Sequence, residues 1–191
     1  WDFRDHAIVY LMLTSGLKPV EIVNAKIEDY ETVNERSLLY IGKNGKRSDE
    51  FVRLSRGAKT ALDDYLSRRK DGFDYLFVQH KNMTTDGRLG RLFFGDMFRR
   101  VLKNAGLEDT RITPHCLRHT AAIMNLERGA SIEQTRAFLR HADISSTLVY
   151  AHHLKRLKDD SQARIESFIL NEEELDIYQS LIKYVAVMKK L

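Results

Sequence analysis

The chain has 191 residues, 43% of them hydrophobic and 30% charged, with 31 Lys and Arg against 27 Asp and Glu for a net charge of +4. That apolar content is enough for one sizeable core, and no apolar run reaches the roughly 18 residues needed to span a membrane. The mild basic excess permits a nucleic-acid partner without establishing one, and the lone Cys116 excludes an internal disulfide and a cysteine-rich metal site. The expectation is a soluble, cytoplasmic protein of a reducing compartment, in which Cys116 is an ordinary small helix residue.

In chain order, Ala7, Ile8, Leu11 and Met12 fall on one face and predict a helix over 2–15, with Gly16 as its stop. Trp1 falls inside that helical pattern, so the sequence reads as a fragment of a longer protein. Pro19 suits the first turn of a short second helix. Ile27 to Tyr30, Ser37 to Tyr40 and Phe51 to Leu54 read as three short strands of an antiparallel sheet. Asn34-Glu35 and Gly42-Lys-Asn-Gly-Lys-Arg47 supply the turns. A helix is predicted over 57–69, with Ala58, Ala61, Leu62 and Tyr65 inward. Tyr75 to Val78 reads as a strand, and 80–88 as a polar loop carrying Asn82, Asp86 and Gly87. A helix over 90–104 closes at Gly106, and one over 114–128 closes at Gly129. Ser131 and Gln134 form a capping box for a helix to about 140. Ser145 or Ser146 opens a short helix holding Tyr150, and a charged helix runs from about 155 to 169. The fold class is mainly α with a small three-stranded antiparallel sheet (α+β).

Asn171 followed by Glu172, Glu173 and Glu174 reads as a further helix start. Tyr178, Leu181, Ile182, Val185 and Met188 then repeat at helical spacing as an apolar stripe. Two readings of this tail stay open: a helix packed on its own domain, or one that docks on a neighbouring protomer.

The chemistry concentrates in 113–150. Thr113 is a good N-cap and Pro114 suits the first helical position. His115 then lies in the first turn, where free N–H groups and the helix dipole favour an anion. Arg118 shares its face at i, i+3 and adds a planar fork that matches phosphate oxygens. His141 adds another cation, and Tyr150 follows it by nine residues. A phosphate is the natural guest. Taken singly, each residue has a plainer reading: surface arginine, helix-end histidine, half-buried aromatic. His152 and His153 read as surface residues.

Taken together and in order, the boxes resemble the tyrosine recombinases, or phage-type integrases. They are Leu13-Thr-Ser-Gly-Leu-Lys-Pro-Val-Glu21, the Gly42-Lys43 turn, His115-Cys-Leu-Arg-His-Thr120, Leu139-Arg-His141 and Tyr150. The resemblance extends to about residue 165. It implies a catalytic domain over 1–169, lacking the family's opening helix and amino-terminal DNA-clamping domain, and a tail over 170–191. It also implies site-specific cleavage and rejoining of DNA without metal, ATP or other cofactor. Tyr150 would attack a DNA phosphate, forming a 3′-phosphotyrosyl link and releasing a 5′-hydroxyl. That ester retains the energy of the broken phosphodiester, so the strand can be resealed. A phenol with an ordinary pKa near 10 needs a cationic pocket and a proton acceptor to act near neutral pH.

By the same resemblance, Arg118 holds the non-bridging oxygens. His115 assists proton transfer or hydrogen-bonds the phosphate, and His141 hydrogen-bonds it. Lys43 is the mobile general acid for the leaving oxygen, a role that an ammonium on a flexible stem can fill. Lys46 and Arg47 lie close enough to be confused with it and are expected to contact DNA. Glu21 orients a cation. His119 is a packing histidine. The partners implied are double-stranded DNA and a homo-oligomer, a tetramer on two duplexes with exchanged tails, and the localisation is nucleoid-associated within the cytoplasm.

The sequence departs from the family pattern twice. Lys18 stands where the family has its first catalytic arginine, which keeps the charge and loses the bidentate fork. Arg140 stands where glycine usually precedes the histidine, which alters the turn or adds a phosphate contact. Lys18 leaves open a catalytically weakened DNA-binding relative, and the shared chemistry leaves open a type IB topoisomerase-like strand transferase.

Overall fold

The computed structural model describes residues 2–42, 48–79, 86–107 and 111–171. Lys43, Lys46, Arg47 and Asn82, and the tail from 172 onward, lie outside the described residues. The chain divides into two units, 1–151 and 152–191.

The first unit is built around α1 (Phe3–Ser15). Asp2 caps its start by accepting from the Arg4 N–H at 3.0 Å, and Gly16 ends it in the left-handed region at φ 60°. Ala7, Ile8, Leu11 and Met12 are fully buried, as the spacing predicts. They pack α1 against α3 (Arg56–Ser67), α4 (Arg91–Asn104) and α5 (Pro114–Glu127). On α3 the inward residues are Ala58, Ala61, Leu62 and Tyr65, and on α4 Phe94, Met97, Phe98 and Val101. Arg4 is a long cation buried beside this core. It is satisfied there by Asp5 and by the Val78 carbonyl at 2.9 Å.

The short α2 (Pro19–Asn24) leads to β1 (Tyr30–Val33), β2 (Arg36–Tyr40) and β3 (Phe51–Arg53), an antiparallel sheet in that order. Asn34 and Glu35 both take positive φ, the two-residue turn that matches strand twist. Two predicted strands are corrected. Ile27–Asp29 is a single 3₁₀ turn, because the Asp29 carboxylate accepts from the Lys26 N–H at 2.9 Å and closes it. Tyr75–Val78 makes only isolated bridges, Tyr75 with Lys26 and Val78 with Arg88. Its carbonyls go instead to side chains: Arg69 donates to Tyr75 O at 2.7 Å, and Arg4 to Val78 O.

Two more helices close the unit. In α6 (Ile132–Leu139), Ser131 and Gln134 form the expected capping box, and α7 (Ser145–Leu157) carries Tyr150. In the second unit, α8 (Ser161–Asn171) starts behind Asp159, which accepts from the Ser161 N–H at 3.0 Å. The predicted charged helix is thus the end of α7 and all of α8, Asn171 is the last described residue of α8, and the helix predicted to follow it lies outside the described residues. Among the described residues no helix is long and apolar enough to cross a membrane.

Candidate active site

The site begins at the N-terminus of α5. Pro114 occupies the first turn, and the Cys116 Sγ lies 3.4 Å from the Thr113 N–H, so the thiol serves the helix start. His115 is exposed in that turn. It lines a cleft of about 440 Å³ with Pro19, Val23 and Phe94.

One turn later Arg118 is buried, 4% exposed. Its Nη1 donates to the Gly16 carbonyl and its Nη2 to the Leu139 carbonyl. Gly16 caps α1 and Leu139 ends α6, so one guanidinium joins the C-terminal ends of two helices. Those ends leave carbonyls without helical partners and carry the negative ends of the dipoles. Two of its five N–H donors are used, which leaves capacity for an anion. Burial first, then the neighbouring Arg140, lowers the Arg118 pKa, while Glu21 and Tyr150 oppose that shift.

Glu21 and Arg140 meet beside it. The Glu21 Oε2 accepts from the Lys18 backbone N–H at 2.7 Å, which caps α2, and from the Arg140 Nη2 at 2.6 Å. Both side chains are largely buried. Glu21, expected to orient a cation, is ion-paired with Arg140. Arg140 itself ends α6 with φ 55°, the left-handed geometry that glycine adopts freely, and its Nε is buried with no partner. A cleft of about 590 Å³ is lined by Lys18, Glu21, Gly42, Arg136, Arg140 and His141, among others.

The turn after α6 places His141. Arg136 donates to the His141 carbonyl at 3.2 Å, and the His141 Nδ1 lies 2.9 Å from the Oγ1 of buried Thr147. Thr147 sits one turn before Tyr150 on α7. The Tyr150 ring lies nearly parallel to that of His141, centroids 6.4 Å apart and planes at 16°. Tyr150 is 9% exposed and packs in a small cluster with Ala122 and Leu139. Its hydroxyl is 2.5 Å from the Nδ1 of His119. Burial pushes the Tyr150 phenol up, and Arg118 pulls it partly back. His119 and His141 are both held below the ordinary histidine value, first by burial and then by neighbouring basic groups: His115 and Arg118 for His119, and Arg118, Lys18, Arg140 and His119 for His141.

The structure therefore brings Lys18, Glu21, Arg118, Arg140, His141 and Tyr150 into one region, with His115 opening on the adjoining cleft. Lys43, Lys46 and Arg47 lie outside the described residues. His119, read from the sequence as a packing histidine, lies within hydrogen-bond distance of the Tyr150 hydroxyl. Nothing in its spacing marks it, because its partner lies 31 positions away on another helix. Among the described residues no cluster of His, Cys, Asp or Glu could hold a metal ion.

Comparison with known proteins adds the following. Residues 1–156 match the model of the phage integrase family. Tyrosine recombinase XerD of Listeria monocytogenes is 34% identical over 164 residues, covering 82% of this chain and 52% of that protein. Tyrosine recombinase XerA of Pyrococcus horikoshii is 35% identical over 151 residues, covering 78% of this chain and 50% of that protein. The chain thus spans about half the length of the curated relatives it matches. Among solved structures, a XerA recombinase superimposes with a TM-score of 0.66 at 29% identity over 91% of this chain and 59% of that one. A XerH recombinase bound to its palindromic difH substrate, in a post-cleavage complex, gives 0.69 at 21% identity over 86% of this chain and 46% of that one, a likeness of fold alone.

Proposed function

The chain belongs to the phage integrase family of tyrosine recombinases, and from that premise we propose that it is the catalytic domain of a site-specific recombinase that cleaves and rejoins double-stranded DNA. One observation carries the reading: a buried Arg118 bonded to two backbone carbonyls, a histidine pinned by Thr147 and a tyrosine stacked on that histidine come together from α5, the turn after α6, and α7. An anchored guanidinium and an anchored imidazole beside a phenol suit attack on a phosphodiester.

Tyr150 is the nucleophile. The Arg118 guanidinium takes the non-bridging oxygens, where charge grows in the transition state. His115 and His141 hydrogen-bond the phosphate from either side. Lys18 lies in the same cleft as Arg140 and His141 and contributes a point charge in place of a fork. Lys43 protonates the leaving 5′-oxygen, with Lys46 and Arg47 contacting the duplex nearby. The relatives are named as recombinases, which favours this reading over a topoisomerase-like one. We place the catalytic domain at 1–169. The apolar stripe at 178–188 supports assembly as a tetramer on two duplexes, through tails docked on neighbouring protomers.

The test is covalent trapping on a nicked suicide duplex built from the DNA flanking the gene. A denaturant-resistant adduct should form and vanish with Tyr150→Phe. Lys18→Arg should raise its rate, because the bidentate contact returns. No adduct from protein that demonstrably binds the duplex would return the chain to a DNA-binding role.

A further inference from the structure

We propose that His119 is a catalytic residue, the group that takes the proton from Tyr150 as the phenol attacks. The proposal rests on the recombinase reading above and adds to it a residue that the reading does not use.

The geometry carries it. A general base must lie within hydrogen-bond reach of the proton it removes. The His119 Nδ1 is 2.5 Å from the Tyr150 hydroxyl, and the rings are tilted at 47° with centroids 5.4 Å apart. Because the phenol is the natural donor, Nδ1 accepts and the ring proton sits on Nε2. Arg118 and His119 are consecutive on α5 and divide two tasks. Arg118 turns inward to the ends of α1 and α6, and His119 turns to α7. The other histidine beside the phenol, His141, has its Nδ1 on Thr147 and stacks its ring on the phenol ring.

The surroundings keep His119 a base. The charged and titratable groups around it are His115 and Arg118 on its own helix, Tyr150 on α7 and His141 on the turn between α6 and α7. The cations among them, with burial, favour the neutral ring. His119 is nonetheless exposed as a residue, so a proton taken from the buried phenol can pass to solvent.

The step balances as follows. The Tyr150 O–H bond breaks and its proton moves to Nδ1. The phenolate oxygen bonds to phosphorus and the bond from phosphorus to the 5′-oxygen breaks. That oxygen leaves with the proton of the general acid assigned to Lys43. In resealing, the imidazolium returns the proton to the departing phenolate.

The experiment measures single-turnover adduct formation on the nicked duplex across pH 5 to 9 (on the order of one histidine's titration range), with the full chain and two variants. His119→Asn places an amide oxygen where Nδ1 was, preserving a hydrogen-bond acceptor that cannot take a proton. His119→Gln is the second variant should the first fold poorly. Adduct formation should fall by about 10²-fold or more. The wild-type rate should rise with pH through a histidine limb and then level. In the variants that limb should be gone, the rate climbing toward the range where the phenol itself ionises. Duplex binding by gel shift should be unchanged. An unchanged rate, or a slower rate with the limb intact, would overturn the proposal and leave His119 a packing residue. If wild type forms no adduct, or Tyr150→Phe still forms one, the recombinase reading fails and the proposal falls with it.

Discussion

At the scale of single residues, the site depends on where Arg118 spends its hydrogen bonds. A buried guanidinium without a carboxylate partner is unusual, because a buried charge is costly unless paired. Arg118 instead uses the Gly16 and Leu139 carbonyls, which the ends of α1 and α6 leave unpaired. The same residue ties the fold together and, in the proposed reaction, holds the phosphate, and the two roles separate by measurement. Arg118→Ala strands two largely buried carbonyls and should cost about 2–4 kcal/mol of stability, read from urea denaturation. Adduct formation should fall by about 10²-fold or more under conditions where the variant is still folded, as when an oxyanion donor is removed. A variant that loses stability but cleaves at the wild-type rate would confine Arg118 to a structural role.

At the scale of elements, the helix punctuation was readable because its causes are local. Gly16 ends α1 in the left-handed region, Ser131 with Gln134 opens α6, and Asn34-Glu35 turns the hairpin. Failures came where a distant partner decided the outcome. Tyr75–Val78 has strand composition, but Arg69 and Arg4 claim its carbonyls. In the site, the order of the boxes showed which residues belong together, while the His119–Tyr150 and Arg140–Glu21 pairs arise only when helices pack. The latter ties the end of α6 to the start of α2 across 119 positions. Arg140→Gly should relieve the left-handed strain, about 1 kcal/mol, but leave Glu21 largely buried without its cation, about 3 kcal/mol. The net expectation is a loss of about 2 kcal/mol. Adding Glu21→Gln should recover much of it, because the orphaned charge is gone. A double-mutant cycle by urea denaturation measures the coupling, which should exceed about 1 kcal/mol. Additive effects would mean that the contact clamps nothing.

At the scale of the whole molecule, a net charge of +4 is too small to act as a general anion trap. The positive charge that matters is local: Lys18, Arg136 and Arg140 line one cleft, and Arg118 lies buried beside it. If this face receives the duplex, affinity must depend on displaced counterions, with a slope of about 0.9 in log affinity against log salt for each phosphate contacted. For about four contacts, binding should weaken by about 10²-fold between 50 and 200 mM salt, followed by fluorescence anisotropy of a labelled duplex. The internal comparison is Lys18→Gln. Glu21 bonds the backbone N–H of residue 18, so the cap of α2 survives the change while the charge in the cleft is lost. The slope should then fall by about one contact, equally on specific and unrelated duplexes, as expected of a phosphate contact rather than a base contact. An unchanged slope would place DNA on another face of the chain, and a slope that changes on one sequence only would make Lys18 a reader of bases.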